Sequence, residues 1–263
     1  MSKNYICFFI AFFSFHNFSN AQSKLSHEIG GFFGPSVMKS DYGQRNDDSS
    51  TYRNTGFAIG FIHYLNFSYK SMSDAYFNEH FKVRSELSFS QTKLNHFGQW
   101  VNNSSNSIGK QQLKAMEGKS SILNLGAQLE YFPFSEIHDF EYSIGTFSPY
   151  ISLGVQYNFY SAESSSTMGE LGTLQTTFAK YLVPSNGHSY GFSSESNSTW
   201  SIVSGIGARY KLTPLSDLMV DFRLQYFDSD WVDGLNPNRQ IFTENKYNDW
   251  QVWLTFGYIF YLD

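Results

Sequence analysis

From about residue 25 onward, apolar and polar positions alternate with a period of two, which predicts β-strands that separate an apolar surface from a polar one. A first, weaker strand runs from Leu25 to Gly34 and is expected to stop at Pro35, which cannot donate to a ladder. The second segment sets Phe57, Ile59, Phe61, His63, Leu65 and Phe67 against Gly56, Ala58, Gly60 and Asn66. The third sets Phe81, Val83, Leu87 and Phe89 against Lys82, Arg84, Glu86 and Ser88. In the fourth, Leu123, Leu125, Ala127, Leu129 and Tyr131 oppose Asn124, Gly126, Gln128 and Glu130. In the fifth, Ile151, Leu153, Val155, Tyr157 and Phe159 oppose Ser152, Gly154, Gln156 and Asn158. Trp200, Ile202, Ile206, Ala208, Tyr210 and Leu212 then face away from Ser201, Gly205, Gly207, Arg209 and Lys211. Leu218, Val220, Phe222, Leu224 and Tyr226 face away from Asp221, Arg223 and Gln225, and Trp250 to Leu262 carries an unbroken apolar row. That makes eight strands, most of them long enough for the 9–11 tilted residues that cross a bilayer.

The connections alternate in length. Long ones are expected over about 38–54, 93–118, 161–197 and 228–247, short ones over about 68–79, 133–143 and 213–216. Long loops on one rim and short turns on the other predict an all-β fold: an eight-stranded antiparallel transmembrane β-barrel with long extracellular loops and short periplasmic turns. A soluble barrel would place the apolar rows inside instead. Glycines 56, 60, 126, 154, 205, 207 and 257 lie on the polar face, where a narrow lumen needs small residues and a wetted exterior does not. Tyr64, Phe67, Tyr131, Phe134, Tyr210, Tyr258 and Phe260 gather at the expected periplasmic ends, as an interfacial girdle would. The C-terminal run with Thr255, Gly257, Phe260 and Leu262 has the spacing of a barrel-assembly signal, with Asp263 as its one departure.

Residues 1–21 form a separate unit. Lys3 provides a positive start, Tyr5 to Phe18 an apolar stretch, and Ser19, Asn20 and Ala21 small residues before a cleavage point at Gln22. This is the pattern of a secretory signal peptide, so the expected division is 1–21 leader and 22–263 barrel. The single cysteine, Cys7, leaves with the leader, so no disulfide, thiolate or cysteine metal site is expected in the exported chain. Aromatics make up 19% of the 263 residues and charged residues 16%, with a mean hydropathy of −0.35; these values fit neither a disordered chain nor a bundle of membrane helices. A net charge of −5 argues against nucleic acid as a partner.

With Leu25–Gly30, Ser40–Arg45, His63–Phe67 and Trp231–Pro237 in view, the chain from residue 22 resembles the small OmpA-like and PorT-like outer-membrane barrels of Gram-negative bacteria. Those stretches resemble a narrower subgroup without an assigned activity. The resemblance implies an outer-membrane location, outer-membrane lipids and the barrel-assembly machinery as partners, and a PorT-like role in secretion. Barrel architecture hosts many functions, so the role must be argued from sites.

By facing, the lumen holds Lys82, Arg84, Arg209, Lys211 and Arg223 against Glu28, Glu86, Glu130 and Asp221. Buried charges require partners, so a structural ion-pair network is expected rather than a selective pore. The histidines are scattered, and His63 lies at the wrong height for a lipid-hydrolase site at the outer rim, so no catalytic set, cofactor or metal is expected. Gly205, Gly207 and Arg209 imitate the start of a dinucleotide fingerprint but lack its third glycine and its helix. Asp228, Asp230 and Asp233 are spaced somewhat like a calcium loop, but the third is one residue late and the twelfth position lacks Glu, so a solvated turn is expected. The long loops hold the best candidates for contact with an envelope protein partner: Trp100, Tyr181, Leu182, Val183 and Trp231. The expected function is that of a non-enzymatic structural or accessory subunit of an envelope or secretion assembly. Surface recognition or adhesion through the loops is the alternative, ahead of a lipid-modifying enzyme or a narrow pore.

Overall fold

The computed structural model describes residues 25–43, 52–68 and 75–262; the expected leader lies outside them. Strands β1 (Ser26–Lys39), β2 (Thr55–Asn66), β3 (Phe81–Asn95), β4 (Met116–Tyr131), β5 (Phe147–Ser166), β6 (Ser196–Thr213), β7 (Ser216–Phe227) and β8 (Trp250–Tyr261) pair in sequence order. The last closes on the first, and every pairing is antiparallel. Followed from neighbour to neighbour, the register passes from Glu28 through Tyr64, Arg84, Gln128, Gly154, Val203, Gln225 and Gln251 back to β1 at Met38. Strand, tilt and stagger are linked in a closed barrel, so this offset along β1 means strongly inclined strands around a lumen that side chains can fill.

The wall is polar inside and apolar outside. Phe61 is 72% exposed and Leu153 63% on the outer surface, whereas Glu28, Arg84 and Arg209 are fully buried inside. A bilayer suits such a surface, because a closed barrel leaves no open sheet edge and the outer side chains need no water. The outward pair Lys119–Glu163, near the ends of β4 and β5, lies above the apolar belt.

Two expectations about the strands need correction. β1 does not stop at Pro35 but runs on to Lys39. Pro35 stays opposite Phe57 in β2, while the pairing with β8 skips from Phe33 to Ser36, so the missing N–H falls where that ladder is interrupted. Tyr64 does not belong to the outer girdle; it is fully buried in the lumen, on the same parity as Asn66 and Ala58.

The connections also hold more structure than simple turns and loops. Helix α1 (Ala75–His80) precedes β3, and α2 (Gln99–Asn102) and α3 (Ile108–Ala115) sit in the β3–β4 loop. Helix α4 (Ile137–Tyr142) lies in the β4–β5 connection, and a 3₁₀ turn (Ala179–Leu182) in the β5–β6 loop.

Candidate functional site

The structure brings all nine charged residues placed in the lumen by facing into one chain of contacts. Lys82 contacts Glu28, and Arg209 Nη1 reaches Glu28 at 2.6 Å while its Nη2 reaches Glu130 at 3.1 Å. Arg84 bridges Glu130 at 3.3 Å, Asp221 at 3.2 Å and Glu86 at 2.8 Å. Arg223 then clamps Glu86 at 2.7 Å and Asp221 at 3.0 Å. Facing alone missed two further acids. Asp217 pairs with Lys211 at 3.2 Å, and Glu141 approaches Lys82 at 3.8 Å. Asp217 is the luminal residue two positions below Met219 on β7, so parity could have found it. Glu141 is carried in by α4, whose Ile137 and Phe140 are buried against the barrel end, and no strand pattern signals that plug.

The lumen is also more aromatic than its polar rows suggest. Phe32, Tyr64, Tyr150 and Trp253 point inward and are almost fully buried. Glycines make room for them: a Cβ at Gly60 would meet the Phe32 ring at 2.6 Å, and one at Gly207 the Tyr150 ring at 2.5 Å. Guanidinium groups use the ring faces, with Arg209 4.1 Å from the Tyr64 centroid and Arg223 4.9 Å from that of Trp253. Towards the long-loop end, uncharged side chains take over. Gln225 donates to Asn124 at 3.0 Å, Asn158 to Asn124 at 2.7 Å, and Gln251 to Thr92 at 3.0 Å.

Above this, the loops pack on one another. Tyr42, Val101, Leu113, Tyr181, Trp231, Val232 and Leu235, from all four long connections, form one apolar core with Met38, Leu94 and Phe227 at the strand ends. Backbone bonds tie the loops together: Ser193 N–H donates to the Gly234 carbonyl and Asn236 N–H to that of Gly191, both at 2.9 Å. The result is a folded cap over the barrel mouth. Of the five residues singled out for partner contact, Tyr181 and Trp231 are buried in this cap, Leu182 and Val183 are half-buried, and Trp100 is 63% exposed.

The segment expected to be a solvated turn is buried. Residues 230–237 are all shielded, because Val232 and Leu235 enter the cap core and Asp233 organises the backbone. The Asp233 carboxylate accepts N–H bonds from Asp41 at 2.7 Å and Leu235 at 2.7 Å. Burial first, and the neighbouring Asp41 carboxylate second, push the Asp233 acid well above the usual carboxylate range. Asp230 accepts from Asn245 at 2.9 Å and pairs with Arg239 at 3.3 Å, whereas Asp228 is exposed. Among the described residues no group of three or more His, Cys, Asp or Glu is arranged to hold a metal ion.

A cleft of about 1070 Å³ opens among all four loops. Asp41 and Gly43 come from the first, His96, Phe97 and Trp100 from the second, Phe178, Lys180 and Tyr181 from the third, and Phe242, Glu244 and Tyr247 from the fourth. His96 is buried in its wall, and burial, helped by Lys180, lowers its pKa to about 3, so the imidazole is neutral at ordinary pH. Gly43 N–H donates to His96 Nδ1 at 3.3 Å, which puts the imidazole proton on Nε2.

One histidine pair and one histidine-bearing trio lie outside the cleft. His27 and His63 stack with centroids 5.2 Å apart and share a 3.0 Å N···N bond at the short-turn end of the wall. In the cap, His188 Nε2 and Ser193 Oγ both bond Glu195 Oε2, at 3.0 and 3.2 Å. Here the carboxylate sits between hydroxyl and imidazole. Activation of a serine needs the imidazole on the hydroxyl, so this trio orients groups without making a nucleophile.

No protein-family model and no curated protein matches the chain. Solved structures do. The chain is similar to a major outer membrane protein from Thermus thermophilus, with 13% identity, a TM-score of 0.49, and coverage of 90% of this chain and 99% of the other. Neisserial surface protein A aligns at 12% identity and a TM-score of 0.43, covering 90% and 97%. Ail, the attachment invasion locus protein of Yersinia pestis, aligns at 15% identity and 0.39, again over 90% and 97%. At these identities and scores the likenesses assign no activity to this chain, and the fold rests on its own closed register and inverted wall.

Proposed function

We propose that this chain is a non-enzymatic integral outer-membrane barrel that works by recognition through its cap, with the short turns in the periplasm and the long loops outside. The observation that carries the reading is the contrast along the axis: charged and amide side chains fill the lumen, while a large cleft opens among the four outer loops. A filled lumen gives no route for through-flow, and loops held on a rigid frame are where binding groups collect. Its standing contacts are outer-membrane lipids around the wall and the assembly machinery during insertion, which would read Thr255, Gly257, Phe260 and Leu262 on β8. The test displays the full barrel on cells that lack it and measures attachment to host cells or to other bacteria, with a Phe97→Ala/Trp100→Ala variant as comparison. Attachment that needs the two aromatics supports recognition; equal attachment with and without the protein removes it.

A second reading, an accessory subunit of an envelope or secretion assembly, draws on the exposed aromatics at the other rim. Phe134, ahead of α4, is 82% exposed and Tyr142, the last residue of α4, 70%. Gentle detergent extraction followed by mass spectrometry should then recover a stoichiometric periplasmic companion, and a clean monomer would count against that role.

A further inference from the structure

The cleft among the loops has a chemical character of its own. Phe97, Trp100, Phe178, Tyr181, Phe242 and Tyr247 line it, so ring faces from three loops border one space. Among the described lining residues two bases stand with two acids, and Arg53 lies over the Phe97 ring at 5.3 Å. Lys180 is paired with Glu244 at 3.0 Å, and Lys246 lies on the same lining as Asp41. On the described lining residues the two signs offset, so that wall selects for neither an anion nor a cation. One donor in the wall is unspent: His96 is 8% exposed, its Nδ1 is occupied by Gly43, and its Nε2 has no hydrogen-bond partner. A buried donor left unpaired is costly, and an uncharged oxygen supplied by a ligand would satisfy it.

Aromatic faces, balanced charge and a neutral donor together fit a molecule that is apolar on its ring faces and oxygen-rich at its edges. We propose that this cleft is a binding site for an uncharged oligosaccharide. Sugar C–H faces stack on the rings of Trp100, Phe97 and Tyr247, and a hydroxyl or ring oxygen accepts from His96 Nε2–H. At about 1070 Å³ the space exceeds what a single small ligand needs, which favours a short chain of sugar units over a monosaccharide. The inference rests on the recognition reading and supplies its ligand class.

The test uses the full barrel in detergent micelles and follows tryptophan fluorescence and titration calorimetry. The probes are uncharged tetrasaccharides of glucose, mannose and N-acetylglucosamine, a sulfated tetrasaccharide, and an apolar octapeptide. Saturable binding of at least one uncharged tetrasaccharide is expected, insensitive to salt. Trp100→Ala should weaken it roughly five- to tenfold, as loss of one ring stack does, whereas Lys119→Ala, in the exposed pair with Glu163 outside the cleft, should leave it within about twofold. Tyr190→Ala, elsewhere on the third loop, controls for general loosening. Binding only of the sulfated probe, falling with salt, would overturn the proposal in favour of an anion site. Binding only of the peptide would make the cleft a protein contact, and no binding by any uncharged saccharide would likewise overturn it. If cleft variants lose cell attachment while no saccharide binds, recognition stands and the ligand class falls. If saccharide binds but attachment is unaffected, the ligand class stands and the recognition role falls.

Discussion

The lumen and the cap of this barrel are packed by opposite rules. In the lumen, the buried groups are guanidinium, ammonium and carboxylate, held in a continuous network with aromatic rings laid over glycines. In the cap, the buried groups are Val232, Leu235, Tyr181 and Trp231, as in a water-soluble protein. The difference follows from the surroundings. The wall has given most of its apolar side chains to the bilayer, so charged and amide groups fill much of the inside around a smaller cluster that includes Phe32, Ile62, Met219 and Trp253, and each buried charge must find a partner. The cap stands in water and is held by burying apolar surface of its own, with inter-loop backbone bonds and the Asp233 carboxylate fixing its chain path. One chain thus has two independent sources of order, and they should fail separately.

The largest break in that comparison should come from the lumen. Glu130→Ala leaves both Arg84 and Arg209 short of a carboxylate and takes the acceptor from Tyr64. A loss of about 3–5 kcal/mol is expected in the urea unfolding of the barrel in detergent, since it strands buried charge. A loss below about 1 kcal/mol would mean the network adapts through water and does not hold the wall. Leu235→Ala should cost about 2–4 kcal/mol, but locally. It should speed proteolysis and hydrogen exchange in the cap while the barrel's unfolding midpoint stays put, and a matching fall in that midpoint would show that cap and wall unfold as one.

Acid should also separate the two regions. His96 has a folded pKa of about 3, below its unfolded value near 6.5, so its neutral form stabilises the cap above pH 6.5. That contribution is lost progressively as pH falls from there towards 3. Asp233 acts the other way: its raised pKa means the ionised acid costs stability at high pH, and the cost disappears as pH falls through the folded value. Hydrogen exchange in the cap across pH 8 to 4 should therefore be less acid-sensitive in His96→Gln than in the parent. Identical profiles for parent and His96→Gln would remove the buried neutral imidazole from the account. The smallest effect belongs to the outer wall. Lys119→Ala breaks an exposed pair with Glu163 and should change stability by less than about 1 kcal/mol, least of all in high salt.

Much of the wall is legible in the sequence because alternation is local. Each strand states which residues share a face, and that parity alone puts Arg84 with Glu86 and Arg209 with Lys211. The same parity applied to β8 would have put Trp253 inside with Gln251 and Thr255, although a tryptophan reads as lipid-facing by its chemistry. Pro35 misled for a related reason. A missing N–H is a local fact, but whether it ends a strand depends on whether the neighbouring strand needs that bond at that point.

The cap is a different case. The Asp, Asn, Gly and Pro of residues 228–237 read as a wetted turn, and nothing local distinguishes a turn in water from one tucked beneath other loops. Only after barrel closure brings four distant connections onto one rim do Tyr42, Val101, Tyr181 and Val232 find each other. The cleft, with one wall from each loop, exists only at that level.

By itself, then, the sequence determined the strand count, most of the inner and outer faces and nine of the charges to be buried, through a period of two that each segment carries alone, while Asp217, Glu141 and the facing of Tyr64 escaped it. The tertiary structure decided which carboxylate meets which guanidinium, how glycines accept rings across the lumen, and what the loops enclose. Those depend on the stagger with which β8 closes on β1, and a pairing such as Arg209 with Glu28, across 181 positions of chain, is set by that closure and by nothing nearby.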